Sequence, residues 1–566
     1  MLLSRGPLSC KLRNIRSCSD NGKNFKFESN ILKSVTTVDI PRVDVSSLIW
    51  RNVKNWELKP ALTCGETGRS YSYGQLKRSS ENFGANLGVI LGLKEGEKLG
   101  LVLPNIPEFA TAFYGAASAG LISTPANPIY TKVSTSDELA KQFVDTEVSA
   151  VVTTQSLLPK VRSALKSSLG RGCIIVVDGK TDKKQNVYGF QDLAQKKYKG
   201  ADTPKKPDPE APVVIPYSSG TTGLPKGVVL THRNLVAAIS IADHPDVIPQ
   251  KSIGSFQEVT LAAIPLFHIY GLVNILGLSL FRGYYIVTLP NFEPKLFATT
   301  FSKHKPSYMC FVPPLMSFVA SSPLISRKAL SHLTFAANAA APLSKQLVNQ
   351  LKAKSGNPKL IVKNGFGMTE TSALATITPG SFQKETVGLP GPNTEIKVVN
   401  DRGLALPMGQ VGELCVRGPQ VMKGYLNNEK ATTEIMSEDN WLTTGDIGYI
   451  DPEDGHISLV DRKKDLIKVK GFQVSPTELE LLLLEIDGVA DAAVIGVSNQ
   501  TSGELPKAFI VKKADSNVTE QDVIKFVEQK VAPFKQLKGG VMFVSEIPKS
   551  AAGKTLKKLL ADNELK

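Results

Sequence analysis

Between about residue 60 and residue 450, short β-rich runs alternate with helical patterns, and no other feature constrains the fold as strongly. Residues 99–103 read as a strand, 107–120 as a helix and 121–124 as the next strand. Residues 136–144 and 150–153 repeat the cycle. Strands joined through helices pair in parallel, so the expected fold is α/β, with parallel-rich sheets covered by helices. A chain of 566 residues is too long for one compact core. Linkers are expected at 199–212 and around 451–455, where turn-forming residues collect. The end of the chain reads as a small α+β unit. Ser475-Pro476-Thr477-Glu478 predicts a helix start, with a serine N-cap, a proline in the first turn and Glu478 closing a capping box. Strands at 492–497 and 508–512 and an amphipathic helix at 519–531 complete it. The expected division is a leader over 1–35, a large domain over 36–462 and a small C-terminal domain over 463–566.

The net charge is +15, yet lysines and arginines are scattered, and no aromatic–basic stripe points to nucleic acid. A positive balance suits polyanionic small molecules, and equally plain solubility. The six cysteines (Cys10, Cys18, Cys64, Cys173, Cys310, Cys415) are far apart, which favours a reduced compartment and no structural zinc. Residues 259–281 are uncharged and long enough to span a bilayer, but Pro265, His268 and Asn274 interrupt them. A buried core segment is expected there instead, and no transmembrane segment. The leader carries Arg5, Lys11, Arg13 and Arg16, four serines and no acid through residue 19, which fits a mitochondrial presequence or a leader with no address. Location is therefore mitochondrial or cytoplasmic by expectation. The final Glu-Leu-Lys lacks the peroxisomal Ser-Lys-Leu.

Chemistry enters with residues 217–227, Tyr-Ser-Ser-Gly-Thr-Thr-Gly-Leu-Pro-Lys-Gly. Ser218, Ser219, Gly220, Thr221, Thr222 and Lys226 supply hydroxyls, free backbone N–H groups and one point cation, as a triphosphate requires. Apolar runs on both sides predict a loop between two strands. A Walker A loop is excluded, because Lys226 is followed by glycine and then by a strand pattern. An ordinary turn would not explain the lysine or the doubled serines and threonines.

Five more motifs follow: Asn364-Gly-Phe-Gly-Met-Thr-Glu370, Gly412-Glu-Leu-Cys-Val-Arg-Gly418, Trp441-Leu-Thr-Thr-Gly-Asp446, the run from Asp461 to Gln473, and Pro548-Lys-Ser-Ala-Ala-Gly-Lys554. Singly they are weak; in this order and spacing they are specific. Over roughly residues 45–560 the chain resembles the adenylate-forming superfamily of acyl- and aryl-CoA synthetases, luciferases and peptide-synthetase adenylation domains. The Gly412–Gly418 segment and Phe267-His-Ile-Tyr270 most resemble 4-coumarate–CoA ligase and its fatty-acyl relatives.

The resemblance implies two steps: a carboxylate attacks the α-phosphate of ATP, giving acyl-AMP and pyrophosphate, and the thiol of coenzyme A then takes the acyl group. It implies ATP, Mg²⁺ and CoA beside a small hydrophobic acid, either an aryl-propenoate or a medium- to long-chain fatty acid. Ser218 to Thr222 and Lys226 would hold the β- and γ-phosphates, Thr369 the α-phosphate and Glu370 the Mg²⁺. Asn364 and Gly365 would line the nucleotide site. Asp446 would accept the ribose hydroxyls, backed by Arg462 from the small domain. Lys554 would bridge carboxylate and α-phosphate, and His268 would gate the acid, with Tyr270, Ala339, Ala340, Ala341 and Ile377 lining its pocket. The small domain of relatives rotates between the steps, hinged at the position of Lys464. Lys468 and Gln473 would serve acyl-AMP and thioester formation, and Lys470 and Gly471 the CoA approach. Taken alone, Glu370 is an ordinary helix-start acid, Asp446 a turn residue, Lys554 a surface lysine and His268 a core histidine.

Departures concern the acid. Close relatives read Ser-Gly-Ala-Ala-Pro where this chain reads Asn338-Ala-Ala-Ala-Pro342, Gln-Gly-Tyr where it reads Asn364-Gly-Phe366, and several plant enzymes carry lysine at Asn291. Ala339 adds a methyl to the pocket wall, worth about 1–3 kcal/mol of discrimination, which changes the acid preferred and not the reaction. A luciferase-like oxidoreductase shares every motif up to acyl-AMP. A carrier-loading domain is disfavoured because no carrier follows Lys554, and a dead binding protein because Lys554, Glu370 and the phosphate loop are all present.

Overall fold

The computed structural model describes residues 25–128, 135–166, 172–200, 205–218, 225–470, 472–499, 501–550 and 554–564. The first 24 residues of the leader, Ser219 to Thr222 of the hydroxyl-rich loop, and Gly471 lie outside them. The alternating pattern resolves into a nine-stranded sheet. In it Ile122–Pro125, Lys98–Leu101, Val148–Thr153, Cys173–Val176 and Val187–Gly189 run parallel side by side. Every residue of Val148–Thr153 is buried, as expected of a strand covered on both faces. The expected helix at 107–120 is Glu108–Ser118, packed on Tyr73–Leu91. There a Cβ on Gly84 would run into the carbonyl of Gly115, so the glycine permits the close crossing.

Two smaller sheets repeat the parallel theme. Pro60–Cys64, Tyr285–Thr288 and Val259–Ala262 form one, with Ser70–Ser72 antiparallel at its edge. Tyr308–Phe311, Phe335–Asn338 and Ile361–Phe366 form the other, extended by two short antiparallel strands. A six-stranded antiparallel sheet closes the large body, ending in Leu442–Ile450 and Ile457–Arg462. The expected linker at 451–455 is instead the tight turn joining these last two strands. Asp451 N donates to His456 O at 2.8 Å, and Gly455 takes φ +74°. Turn chemistry is the same in a hairpin and a linker; only the pairing on either side distinguishes them.

Residues 259–281 are a core segment: the strand Val259–Ala262, then a buried π-helical stretch Gly271–Gly277 continued by Leu278–Phe281. No helix among the described residues is long and apolar enough to cross a membrane. A second core forms from Ile467 onward, around Leu479, Leu483, Val494, Ile510, Val523 and Val527. Ser475 caps the helix Pro476–Leu483 by accepting from Glu478 N at 3.1 Å. The other half of the capping box does not form, because Glu478 pairs with Lys535 at 2.7 Å. A tertiary cation outcompetes one backbone N–H for that carboxylate. Asp461, from the last strand of the large body, accepts from Ser475 Oγ at 2.7 Å and Thr477 N at 2.8 Å, tying the small unit to the large one.

Candidate active site

The hydroxyl-rich loop is gripped at both ends. Tyr217–Ser218 pairs antiparallel with Lys226–Thr231, and Ser218 lies opposite Lys226. Ile361–Phe366 runs into a single 3₁₀ turn, Thr369–Thr371. Gly367 is required there, because a Cβ would strike the carbonyl of Ala373. The turn buries Glu370, whose Oε1 accepts from Ser218 Oγ and from the Tyr425 hydroxyl, both at 2.9 Å. Tyr425 also lies under Lys226, whose Nζ is 4.9 Å from the ring centroid. Burial, followed by Glu370, pushes the Tyr425 phenol well up, which keeps it a donor.

No sequence signal singled out Tyr425. It reaches Glu370 because Gly424–Tyr425 adds to the loop hairpin opposite Val228 and Val229, about 200 residues away in the chain. No cluster of three or more metal-ligating side chains occurs among the described residues. Glu370 offers a single buried carboxylate, a hard oxygen ligand of the kind a hard cation prefers.

A second cluster forms where the antiparallel hairpin places Asp446 opposite Arg462. Arg462 Nε stands 2.9 Å from Asp446 Oδ1. Its role was expected to come from the small domain, but Arg462 is the final residue of a large-body strand, paired within the six-stranded sheet, as the expected division after residue 462 has it. Asp446 is 5% exposed, and its Oδ2 has no hydrogen-bond partner. Burial raises its pKa, opposed by Arg462 and then Lys554. A buried carboxylate oxygen without a partner is costly unless something completes it, and hydroxyl donors would.

Lys554 closes the cluster. Its backbone is held in a turn by Ser550, with Ser550 N donating to Lys554 O at 2.8 Å and Lys554 N to Ser550 Oγ at 3.2 Å. Burial lowers the ammonium to about 8; Arg462 adds to that, while Asp446 and Asp465 oppose it and Lys464 lowers it further. His268 borders a small cavity shared with Tyr217, Gln142, Phe267 and Thr369. It keeps some surface open to that cavity although protein encloses the ring on its other sides. Burial first, and Lys554 second, push its imidazole down to about 4, so it is neutral at pH 7. Its Nδ1 accepts from Tyr270 N at 3.3 Å, which places the ring proton on Nε2.

Tyr270 is buried and donates to Ala337 O at 3.0 Å. Ile377 lies opposite Gly365 across the antiparallel pair. The left-handed backbone of this stretch falls at Ala340, with φ +73°, and not at Ala339 where relatives carry glycine. Asn364 is turned inward: Nδ2 donates to Thr386 O and Oδ1 accepts from Asn338 Nδ2, both at 3.0 Å. Lys468 and Gln473 are cross-strand partners on the small domain's first hairpin, exposed like Lys470. The structure thus gathers Lys554, His268, Asp446 and Arg462, and leaves Lys464, Lys468, Lys470 and Gln473 on the surface, with Gly471 outside the described residues.

Residues 49–426 match the AMP-binding enzyme family, and 478–554 match the AMP-binding enzyme C-terminal domain. The chain belongs to the AMP-binding enzyme family and is an AMP-forming acid–CoA ligase, with ATP and CoA as substrates. It is 36% identical over 553 residues to a probable 4-coumarate–CoA ligase 1 of Dictyostelium discoideum, covering 95% of this chain and 98% of the relative. To the 4-coumarate–CoA ligase of Vanilla planifolia it is 37% identical over 550 residues, covering 95% and 96%. Among solved structures, ATP-bound MatB from Rhodopseudomonas palustris superposes with a TM-score of 0.80 at 26% identity, covering 92% and 99% of the two chains. The anthranilate CoA ligase AuaEII with anthranoyl-AMP gives 0.81 at 25% identity, covering 93% and 98%.

Proposed function

We propose that this ligase activates a hydrophobic acid, in first place an aryl-propenoate of the 4-coumarate type, with Mg²⁺ accompanying ATP. The observation that carries the residue assignments is the half-buried position of Lys554, whose ammonium interacts electrostatically with Asp446, Arg462 and His268. The relatives' names support the aryl-propenoate. A medium- or long-chain fatty acid is the second reading, supported by Tyr270, whose hydroxyl is already spent on Ala337 O and offers little to a polar tail.

In this reading Ser218 to Thr222 and Lys226 hold the β- and γ-phosphates, and Thr369 meets the α-phosphate. Glu370 shares Mg²⁺ with the phosphates, and the open Oδ2 of Asp446 accepts the ribose hydroxyls. With His268 neutral, Lys554 is the cation that brings the acid's carboxylate to the α-phosphorus and stabilises charge on it as pyrophosphate leaves. The small domain then turns about Lys464, and Lys468, Gln473, Lys470 and Gly471 serve the thiol's attack on the acyl carbon, with AMP leaving. Pyrophosphate release across acids from 4-coumarate to palmitate, with and without CoA, tests the reading. CoA-dependent turnover on one class identifies the acid, and adenylation without acyl-CoA would overturn it.

Three outcomes follow from the assignments. Lys554 works protonated and its pKa is lowered to about 8, so kcat/KM for the acid should be highest below that pH. It should fall about tenfold per unit above it, as a pH–rate profile would show. Tyr425→Phe keeps the ring under Lys226 but removes one of two donors to Glu370. It should raise the Mg²⁺ concentration for half-maximal adenylation by about ten- to a hundredfold, matching one hydrogen bond to a charged group, about 1.5–3 kcal/mol. Lys470→Ala should slow thioester formation more than adenylation; equal losses in the separated half-reactions would refute the domain swing.

A further inference from the structure

We propose that the edge where three parallel strands begin is a docking surface for an anionic lipid bilayer. Pro60–Cys64, Val259–Ala262 and Tyr285–Thr288 all start at this edge. The segments leading into the first two carry bare apolar side chains. Leu58 is 92% exposed, Ile253 73% and Phe256 56%. Ile253 and Phe256 close a tight turn through reciprocal backbone bonds of 3.2 and 3.0 Å.

These residues belong to one surface. Lys59 Nζ donates to the carbonyls of Gly254 and Ser255, both at 2.9 Å, pinning the turn beside Leu58. Trp56 lies 5.0 Å from the same ammonium and covers Gly283 so closely that no Cβ would fit there. Ser252 Oγ donates to Gly283 O at 3.3 Å, which joins the two segments again. With the turn's carbonyls held by Lys59, its apolar side chains project outward, next to a half-buried tryptophan.

The charge around the patch selects its occupant. Arg51, Lys54 and Lys251 are exposed on the same two segments, and Glu57 is opposed by Arg78 at 3.6 Å. Apolar tips within a basic rim fit the boundary of a bilayer with negative headgroups, where aliphatic and aromatic groups enter the acyl region and lysines stay with the phosphates. A second copy fits poorly, since this chain carries +15 and would present the same basic rim. The catalytic cluster is undisturbed by docking. His268 follows the far end of Val259–Ala262, so the site lies beyond the opposite edge of the sheet.

The test is flotation of the full chain with phosphatidylcholine vesicles, with or without about 30% phosphatidylserine. Binding is expected to the serine-containing vesicles and to weaken severalfold at about 0.5 M salt. Leu58→Ser/Ile253→Ser/Phe256→Ser should lower it by at least about tenfold, and Lys54→Glu/Lys251→Glu should lower it as well. Both variants alter exposed side chains only, so pyrophosphate release on a soluble acid should be unchanged. Equal binding to neutral and anionic vesicles, or full binding by the triple variant, would overturn the proposal. So would a dimer of the wild type that the triple variant dissolves, because the patch would then join two copies.

Discussion

Lys554→Ala is expected to cut pyrophosphate release by about a thousandfold, while acyl transfer from a synthetic acyl-adenylate to CoA changes only a few-fold. Adenylation brings a carboxylate to a phosphate, so two anions must meet in a place with little water. His268 adjoins that place but is neutral at pH 7, and Arg462 is held by Asp446 Oδ1. Lys554 is then the mobile charge best placed to offset the approach. Its ammonium is itself costly to bury, as the lowered pKa records, and a bound anion repays that cost. Truncation removes the cation without disturbing a core, because the side chain comes from a turn. Single-turnover assays of the two half-reactions separate the effects, and wild-type pyrophosphate release in the variant would sink the assignment.

The second large effect is on stability, far from the chemistry. Glu108 opens the helix Glu108–Ser118 with its side chain fully buried. Arg69 reaches it with Nε at 2.5 Å and Nη2 at 2.9 Å, and the Tyr71 hydroxyl donates at 2.8 Å. Burial, and then Glu108, push that phenol up to about 12, so it stays a donor. Arg69→Met leaves a buried carboxylate with one neutral donor and should destabilise the large body by about 3–5 kcal/mol. Arg69→Met/Glu108→Leu, which removes both charges, should recover most of that loss. Thermal unfolding of the two variants checks it; a double variant no better than the single would show that packing, not the stranded charge, sets the cost.

How far the sequence could be read depended on whether a signal was local. The strand-to-helix alternation at 99–153 and the serine start of Pro476–Leu483 rest on periodicity and capping within a few residues, and both appear in the structure. The turn at 451–455 and the partner of Glu478 were misread for the opposite reason. A turn looks the same whether the strands beside it pair or part, and a glutamate cannot announce that Lys535 lies within reach. Arg462 was expected to act from the small domain because the run from Asp461 to Gln473 is continuous in sequence, whereas the last ladder of the large body ends inside it, at Arg462.

The sequence by itself determined the reaction class. A loop of hydroxyls, glycines and one lysine, followed in order by Thr369-Glu370, Asp446 and Lys554, carries the resemblance to adenylate-forming enzymes, and that resemblance implied the reaction. Tertiary structure alone decided how those groups are tuned. Tyr425 meets Glu370 and Lys226 only through strand pairing, Asp446 keeps one oxygen open only because the hairpin commits Arg462 to the other, and His268 loses its charge only on burial. Local order follows from short-range sterics and hydrogen bonding, which a run of residues specifies. Electrostatic character follows from desolvation and from neighbours far away in the chain, which exist only once the sheets have packed.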